Sequence, residues 1–168
     1  IIIDGSFGEG GGQIVRSSLS LSLISGEAVL IKNIRGKRKK PGLLAQHLTA
    51  LNAAVKISTG SVEGNVIGSQ EILFKPQNII SGTYDFTVGT AGSATLVLQT
   101  ILPAFLISRG ESTITIKGGT HNAWAPSFDF LKDAFFPILK RMGVKLESKI
   151  NKFGFYPAGG GDITVVVK

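Results

Sequence analysis

The stretch IIIDGSFGEGGGQIVRSSLSLSLIS, residues 1–25, sets the architecture. Its apolar start, residues 1–4, reads as a buried strand, a glycine-rich turn follows, and residues 11–25 carry the apolar spacing of an amphipathic helix. The same plan returns roughly eighty residues on. In YDFTVGTAGSATLVLQTILPAFLIS, residues 84–108, a strand at 84–88 runs through a turn of small residues into a helix at 91–108. Behind the first helix come a predicted strand at 28–34, a longer helix at 41–58 and two strands at 61–66 and 71–74. Behind the second come a strand at 112–117, a helix at 125–142 and strands at 144–150 and 162–168. The chain therefore reads as an α/β (α+β) protein of two tandem βαβαββ units, each a four-stranded sheet with two helices on one face. The match lies in element order and not in residue identity.

The units are expected at residues 1–80 and 81–168, and the segment from Gln77 to Gly82 is short enough to be a simple connection. No proline- or serine-rich linker parts them, so together they are expected to form one rigid domain. Helices on one face of a sheet leave a helix surface in want of a further layer, and a third unit would be natural.

Composition narrows the class. With 168 residues and 43% hydrophobic content, the chain can bury an ordinary core. It has no cysteine, which excludes disulfides and thiolate metal sites and makes a reducing cytoplasm the default location. The opening Ile1-Ile2-Ile3 run is too short for a signal-peptide core, and the apolar run at 101–107 is interrupted by Pro103, so no membrane segment is expected. The net charge of +7 attracts polyanions such as RNA or nucleoside triphosphates, although many soluble proteins are as basic without binding either.

The glycine run Gly8-Glu9-Gly10-Gly11-Gly12-Gln13 joins a strand to a helix start, where free N–H groups and close backbone approach favour an anion. It lacks the Lys-Ser/Thr ending of a Walker A loop and does not fit G-x-G-x-x-G, and a structural turn is the competing reading. Glu9 beside a phosphate cradle is electrostatically wrong unless a divalent cation bridges the two, which makes it a candidate magnesium ligand. Otherwise it favours the positive end of the helix dipole. Arg16 lies one turn after Gln13 on the same helix face and can reach the same phosphates.

A basic loop carries Arg35, Lys37, Arg38, Lys39 and Lys40, either as a solvated surface or as a polyanion contact. The arginines suit bidentate phosphate contacts, and the lysines suit less directional attraction of an RNA backbone. Gln46 and His47 follow on the next helix; His47 lies near Leu44 and Leu48, so it reads either as a satisfied core histidine or as a phosphate contact. His121 shows no partner carboxylate in the sequence, and two histidines so far apart make no metal site by spacing. Residues 88–95 echo the Glu9 loop, and Gln99 on the helix beyond is an exposed helix former or an ATP contact. Residues 154–161 read as a turn before the last strand, whose aromatics could stack on a base.

Four blocks in order resemble the RNA 3'-terminal phosphate cyclases from end to end. They are residues 8–13, residues 40–50 with Lys40-Pro41-Gly42 and Gln46-His47, residues 91–100 with Ala91-Gly92-Ser93 and Gln99, and residues 154–161. The resemblance implies an enzyme that adenylylates itself on a histidine with ATP, passes AMP to an RNA 3'-phosphate and lets the 2'-hydroxyl displace AMP, giving a 2',3'-cyclic phosphate. It implies Glu9 as ligand of Mg2+ or Mn2+, Gln13, Arg16, Arg38 and His47 around the phosphates, Gln99 at ATP, Pro126 against adenine, and Arg35 as a further basic position. The family's repeats look like those of the enolpyruvyl transferases, and its inserted domain and third unit have no counterpart in these residues.

The resemblance covers about the first half of the family pattern, and the family's nucleophile lies in the other half, matched by neither His47 nor His121. The chain alone is therefore expected to be inactive, with RNA, ATP and the carboxy-terminal half of the same protein as its partners. The alternative implied by likeness is a non-catalytic cyclase-like protein that binds RNA or acts in ribosome assembly. In such relatives the glycine-rich loop looks different.

Overall fold

The structure is a computed structural model that describes residues 1–168. The first unit runs β1 (Ile2–Asp4), α1 (Gly12–Ser25), β2 (Val29–Lys32), α2 (Ala45–Ser58), β3 (Ser61–Glu63) and β4 (Ile72–Lys75). The second runs β5 (Thr83–Thr87), α3 (Ala94–Ile107), β6 (Ser112–Gly118), a broken helix, β7 (Leu146–Lys152) and β8 (Gly161–Val167). The broken helix consists of α4 (Phe128–Phe130), a π-helical stretch (Leu131–Phe135) and α5 (Phe136–Arg141). Strand order is β1-β2-β4-β3 in one sheet and β5-β6-β8-β7 in the other. Each sheet opens with a parallel pair, β1 with β2 and β5 with β6, and continues antiparallel. A parallel pair needs a long crossover, and α1 and α3 supply it. The repeat thus extends from element order to sheet topology.

Period-two alternation explains which face is covered. Val29, Ile31, Ile72 and Phe74 are buried in the first sheet, as are Ile114, Ile116, Ile163 and Val165 in the second. On the opposite face of the second sheet, Thr113, Thr115 and Thr164 are only half-buried. One apolar core spans both units. Helix α3 packs against both α1 and α2, which is why it is apolar almost all round and why the polar Thr95 and Thr100 are buried in it. This packing brings the starts of α1 and α3 to the same side of the molecule.

Several boundaries differ from the sequence-based expectation, three of them for reasons the structure makes plain. Helix α2 begins at Ala45 and not at 41, because residues 35–42 form turns and the His47 ring accepts the Leu44 N–H at 3.1 Å, capping the helix there. The helix expected over 125–142 starts three residues later behind the Ser127 cap, and its middle widens to π geometry. There the Phe136 N–H reaches back to the Leu131 carbonyl, and Pro137, next in line, has no N–H to give. Strand β3 stops at Glu63 because Gly64 turns the chain at φ 81°, where a side chain would run into the Glu71 carbonyl. No helix is long and apolar enough to cross a membrane.

Candidate functional site

The glycine turn ahead of α1 is a left-handed bend, with φ 57° at Gly8 and 56° at Gly10. Its last member, Gly12, lies under the ring of His47, and a β-carbon there would collide with Nε2. The ring is buried, with 6% of His47 exposed, and its Nδ1 accepts from Leu44. Burial, followed by the neighbouring guanidinium groups of Arg16 and Arg35, pushes the His47 pKa down to about 4. The side chain is therefore neutral at pH 7, and the hydrogen bond at Nδ1 assigns its proton to Nε2. A single N–H donor faces the glycine turn.

Arg16 sits one turn into α1 and is 7% exposed. Its Nη2 donates to Gln13 Oε1 at 2.8 Å, its Nε has no partner, and no carboxylate pairs with it. Burial holds its pKa below the usual arginine value. A buried cation with no counter-charge is costly unless a ligand supplies one. Across the mouth, Arg38 Nη2 meets Glu9 Oε2 at 3.1 Å, with both side chains exposed. A cleft of about 660 Å³ collects Glu9, Gln13, Arg16, Arg38, Gln46 and Trp124.

Gln99 and Pro126 lie farther along. Gln99 shares a groove of about 360 Å³ with Gln13 and Arg16 between α1 and α3. It also borders an apolar pocket of about 220 Å³ with Pro126, Leu102 and Phe130. The nucleotide candidates named from sequence thus line adjoining hollows, with Gln13 and Arg16 shared by the first two and Gln99 by the last two, while His47 lies beneath Gly12.

The basic loop divides by task. Arg35, at φ 53°, turns its Nη1 onto the carbonyls of Lys40 at 2.5 Å and Gly42 at 3.0 Å, fastening the loop to itself. Lys37 reaches the Gly8 carbonyl at 3.5 Å. Lys39 and Lys40 are exposed and make no side-chain bond. As for metal, no cluster of three or more histidines and acids exists, and Glu9 is the one carboxylate on the cleft. That donor set fits a magnesium ion carried in with polyphosphate, since such ions take one or two carboxylates and fill the rest of their shell with phosphate and water. It does not fit a resident metal. Asp4 is occupied by the Ser6 N–H and hydroxyl and by Asn33, which hold its pKa down.

Two relationships escaped the sequence reading. His121 does have a partner carboxylate: its Nε2 lies 3.1 Å from Asp129 Oδ2, and its Nδ1 lies 2.8 Å from the Thr120 hydroxyl. The turn between Asn122 and Ser127 folds Asp129 back, a geometry that spacing does not reveal. Gln46 follows the basic loop in sequence, and its spacing does not reveal its partner. Its Oε1 accepts the Ser93 N–H at 2.7 Å, joining α2 of the first unit to the start of α3 in the second. Its amide nitrogen has no protein partner, and Gln46 lines both the 660 Å³ cleft and a neighbouring hollow of about 450 Å³. Trp124, 95% exposed at the same wall, was legible only as a lone tryptophan between alanines.

Comparison with known proteins gives one consistent result. The family model described as RNA 3'-terminal phosphate cyclase matches residues 7–168. The chain is similar to the RNA 3'-terminal phosphate cyclase of Koribacter versatilis, at 53% identity over all of this chain and 47% of that protein. It is similar to that of Ectopseudomonas mendocina at 52% identity over 99% of this chain and 48% of that protein. It is also similar to that of Salmonella enteritidis PT4, at 51% identity over all of this chain and 50% of that protein. The chain spans about half the length of these curated relatives.

Proposed function

This chain belongs to the RNA 3'-terminal phosphate cyclase family, and from that premise we propose that its protein converts an RNA 3'-phosphate to a 2',3'-cyclic phosphate at the expense of ATP. In this reading ATP loses pyrophosphate as AMP is joined to an enzyme histidine. AMP then passes to the RNA 3'-phosphate, and the neighbouring 2'-hydroxyl attacks that phosphorus, releasing AMP. The observation that carries the reading is Arg16, a buried guanidinium without counter-charge at the foot of a glycine-lined helix start.

The residues divide the work by chemistry. Arg16, Gln13 and the His47 Nε2–H present donors to the phosphates, and Arg38 adds charge from the rim. Glu9 would hold Mg2+ or Mn2+, which when bound offsets the charge that gathers on the departing pyrophosphate. Gln99 and Pro126, on their apolar pocket, suit the adenine ring. Lys37, Lys39 and Lys40, with Arg35 fastening their loop, draw in the RNA backbone. The two units, residues 1–80 and 81–168, serve as one body here, since Gln46 of one is hydrogen-bonded to Ser93 of the other.

Neither histidine suits the nucleophile's part. The His47 nitrogen facing the glycine turn carries the proton, and both His121 nitrogens are engaged by Thr120 and Asp129. In this reading the nucleophile belongs to a further portion of the protein. A chain without cysteine suits the reducing cytoplasm as the place of action.

The test is the intact mass of the protein after incubation with ATP and Mg2+. A covalent AMP adduct that disappears in Glu9→Ala or Arg38→Ala supports the reading. ATP-independent RNA binding with no adduct supports a non-catalytic cyclase-like protein instead.

A further inference from the structure

An aromatic surface beside the cleft takes no part in the assignments above. Phe153 and Phe155 are 53% and 55% exposed, and their ring planes lie 5° from parallel with centroids 6.2 Å apart. The His121 ring packs on both, at 5.5 Å from Phe153 and 5.3 Å from Phe155. Tyr156 and Trp124, 81% and 95% exposed, stand on the hollow of about 450 Å³ that shares the Gln46 wall with the anion cleft. Trp124 borders both the cleft of Arg16 and Arg38 and the hollow of Tyr156, and Tyr156 follows Phe155 directly in the chain.

These rings stand on a fastened turn. The Thr120 and His121 N–H groups both donate to the Gly154 carbonyl, at 2.9 and 3.2 Å, and the Gly154 N–H donates to the Thr120 hydroxyl at 3.0 Å. The Gly159 N–H closes onto the Phe155 carbonyl at 2.7 Å. His121 is held in turn by Asp129. A preorganised set of exposed rings is what a planar ligand needs, because little ordering entropy remains to be lost when it stacks.

We infer that Phe153, Phe155, Tyr156 and Trp124 form a stacking platform for unpaired bases of a single-stranded RNA whose 3'-phosphate end lies in the cleft. The inference rests on the cyclase reading and adds to it where the bases go. RNA is favoured as the occupant because Trp124 borders a cleft in which Arg16 has no counter-charge, and because a chain of net charge +7 suits a polyanion. Exposed Lys149 and Lys152 lead into Phe153 along β7, while the nearby acids are engaged, Asp129 by His121 and Asp162 by Asn151. Every base offers a π face, so the platform selects single strands and not sequence.

The test compares two short 3'-phosphorylated oligoribonucleotides, one complete and one abasic at the three residues next to the 3' end, so that backbone charge is equal. The complete strand is expected to bind at least about ten-fold more tightly. Phe153→Leu/Phe155→Leu, which stays apolar but loses both π faces, is expected to remove that advantage and leave abasic binding unchanged. Equal affinity for the two strands, or a double variant that keeps the advantage, overturns the platform. So does a double variant that keeps RNA affinity but changes the solution mass, which would make the rings a protein contact. ATP titration of the same samples separates the two ideas: wild type that binds no ATP contradicts the cyclase reading, whereas wild type that binds ATP without base-dependent RNA affinity contradicts the platform alone.

Discussion

Gly12 lies so close beneath His47 that no β-carbon fits between its backbone and ring atom Nε2. The contact couples the start of α1 to the start of α2, and it fixes the one neutral donor that faces the glycine turn. Gly12→Ala must push the ring away or open the turn. The expected result is a loss of about 1–3 kcal/mol in stability by denaturant titration, together with at least ten-fold weaker ATP binding. Unchanged ATP affinity would remove the His47 donor from the site.

Acid should act through the same ring. The His47 pKa falls from an ordinary 6.5 to about 4 in the folded protein, so between these values the unfolded chain holds the extra proton. The contribution is fully present above pH 6.5 and is lost as pH falls toward 4. Its size is up to about 3 kcal/mol. Denaturation midpoints measured across that window should drop with acid in the wild type and drop less in His47→Asn.

Gln46 allows stability and binding to be separated. Gln46→Ala strands the Ser93 N–H and is expected to cost about 1–3 kcal/mol. Gln46→Glu keeps the acceptor but replaces the free amide donor with negative charge on the cleft wall. Thermal unfolding should show Gln46→Glu less harmed than Gln46→Ala, while phosphate-ligand titration shows it at least as impaired.

The Glu9–Arg38 pair, at 3.1 Å and solvent-exposed, is expected to contribute under about 1 kcal/mol to folding. Glu9→Gln should therefore leave the melting temperature nearly unchanged and abolish the gain in ATP affinity brought by Mg2+. A large stability loss, with the Mg2+ dependence intact, would make Glu9 a structural residue.

Much of this was legible because it is local. The apolar run in Val29–Lys32, the alternation in Ser112–Gly118, the apolar spacing of α1 and α3, and the glycine turn all act within a few residues, and they point to the element order. What escaped depends on contacts through space. The start of α2 needs the His47 ring folded back on Leu44, the π stretch depends on how Pro137 is accommodated, and Gln46 and Ser93 meet across 47 residues. The partnership of His121 with Asp129 likewise needs the intervening turn to be known. Among the site residues, sequence alone placed Arg16 near the glycine turn but could not show that it is buried without a counter-charge.

That burial offers the most direct measurement, a paired record of stability and ATP–Mg2+ affinity in Arg16→Met. Replacing an unpaired buried cation by an apolar side chain of similar length should raise the melting temperature of the ligand-free protein, and removing the charge should weaken ATP binding at least a hundred-fold. A variant that binds ATP as the wild type does would contradict the account, because the cleft around Arg16 would then not be the place where the polyphosphate is held.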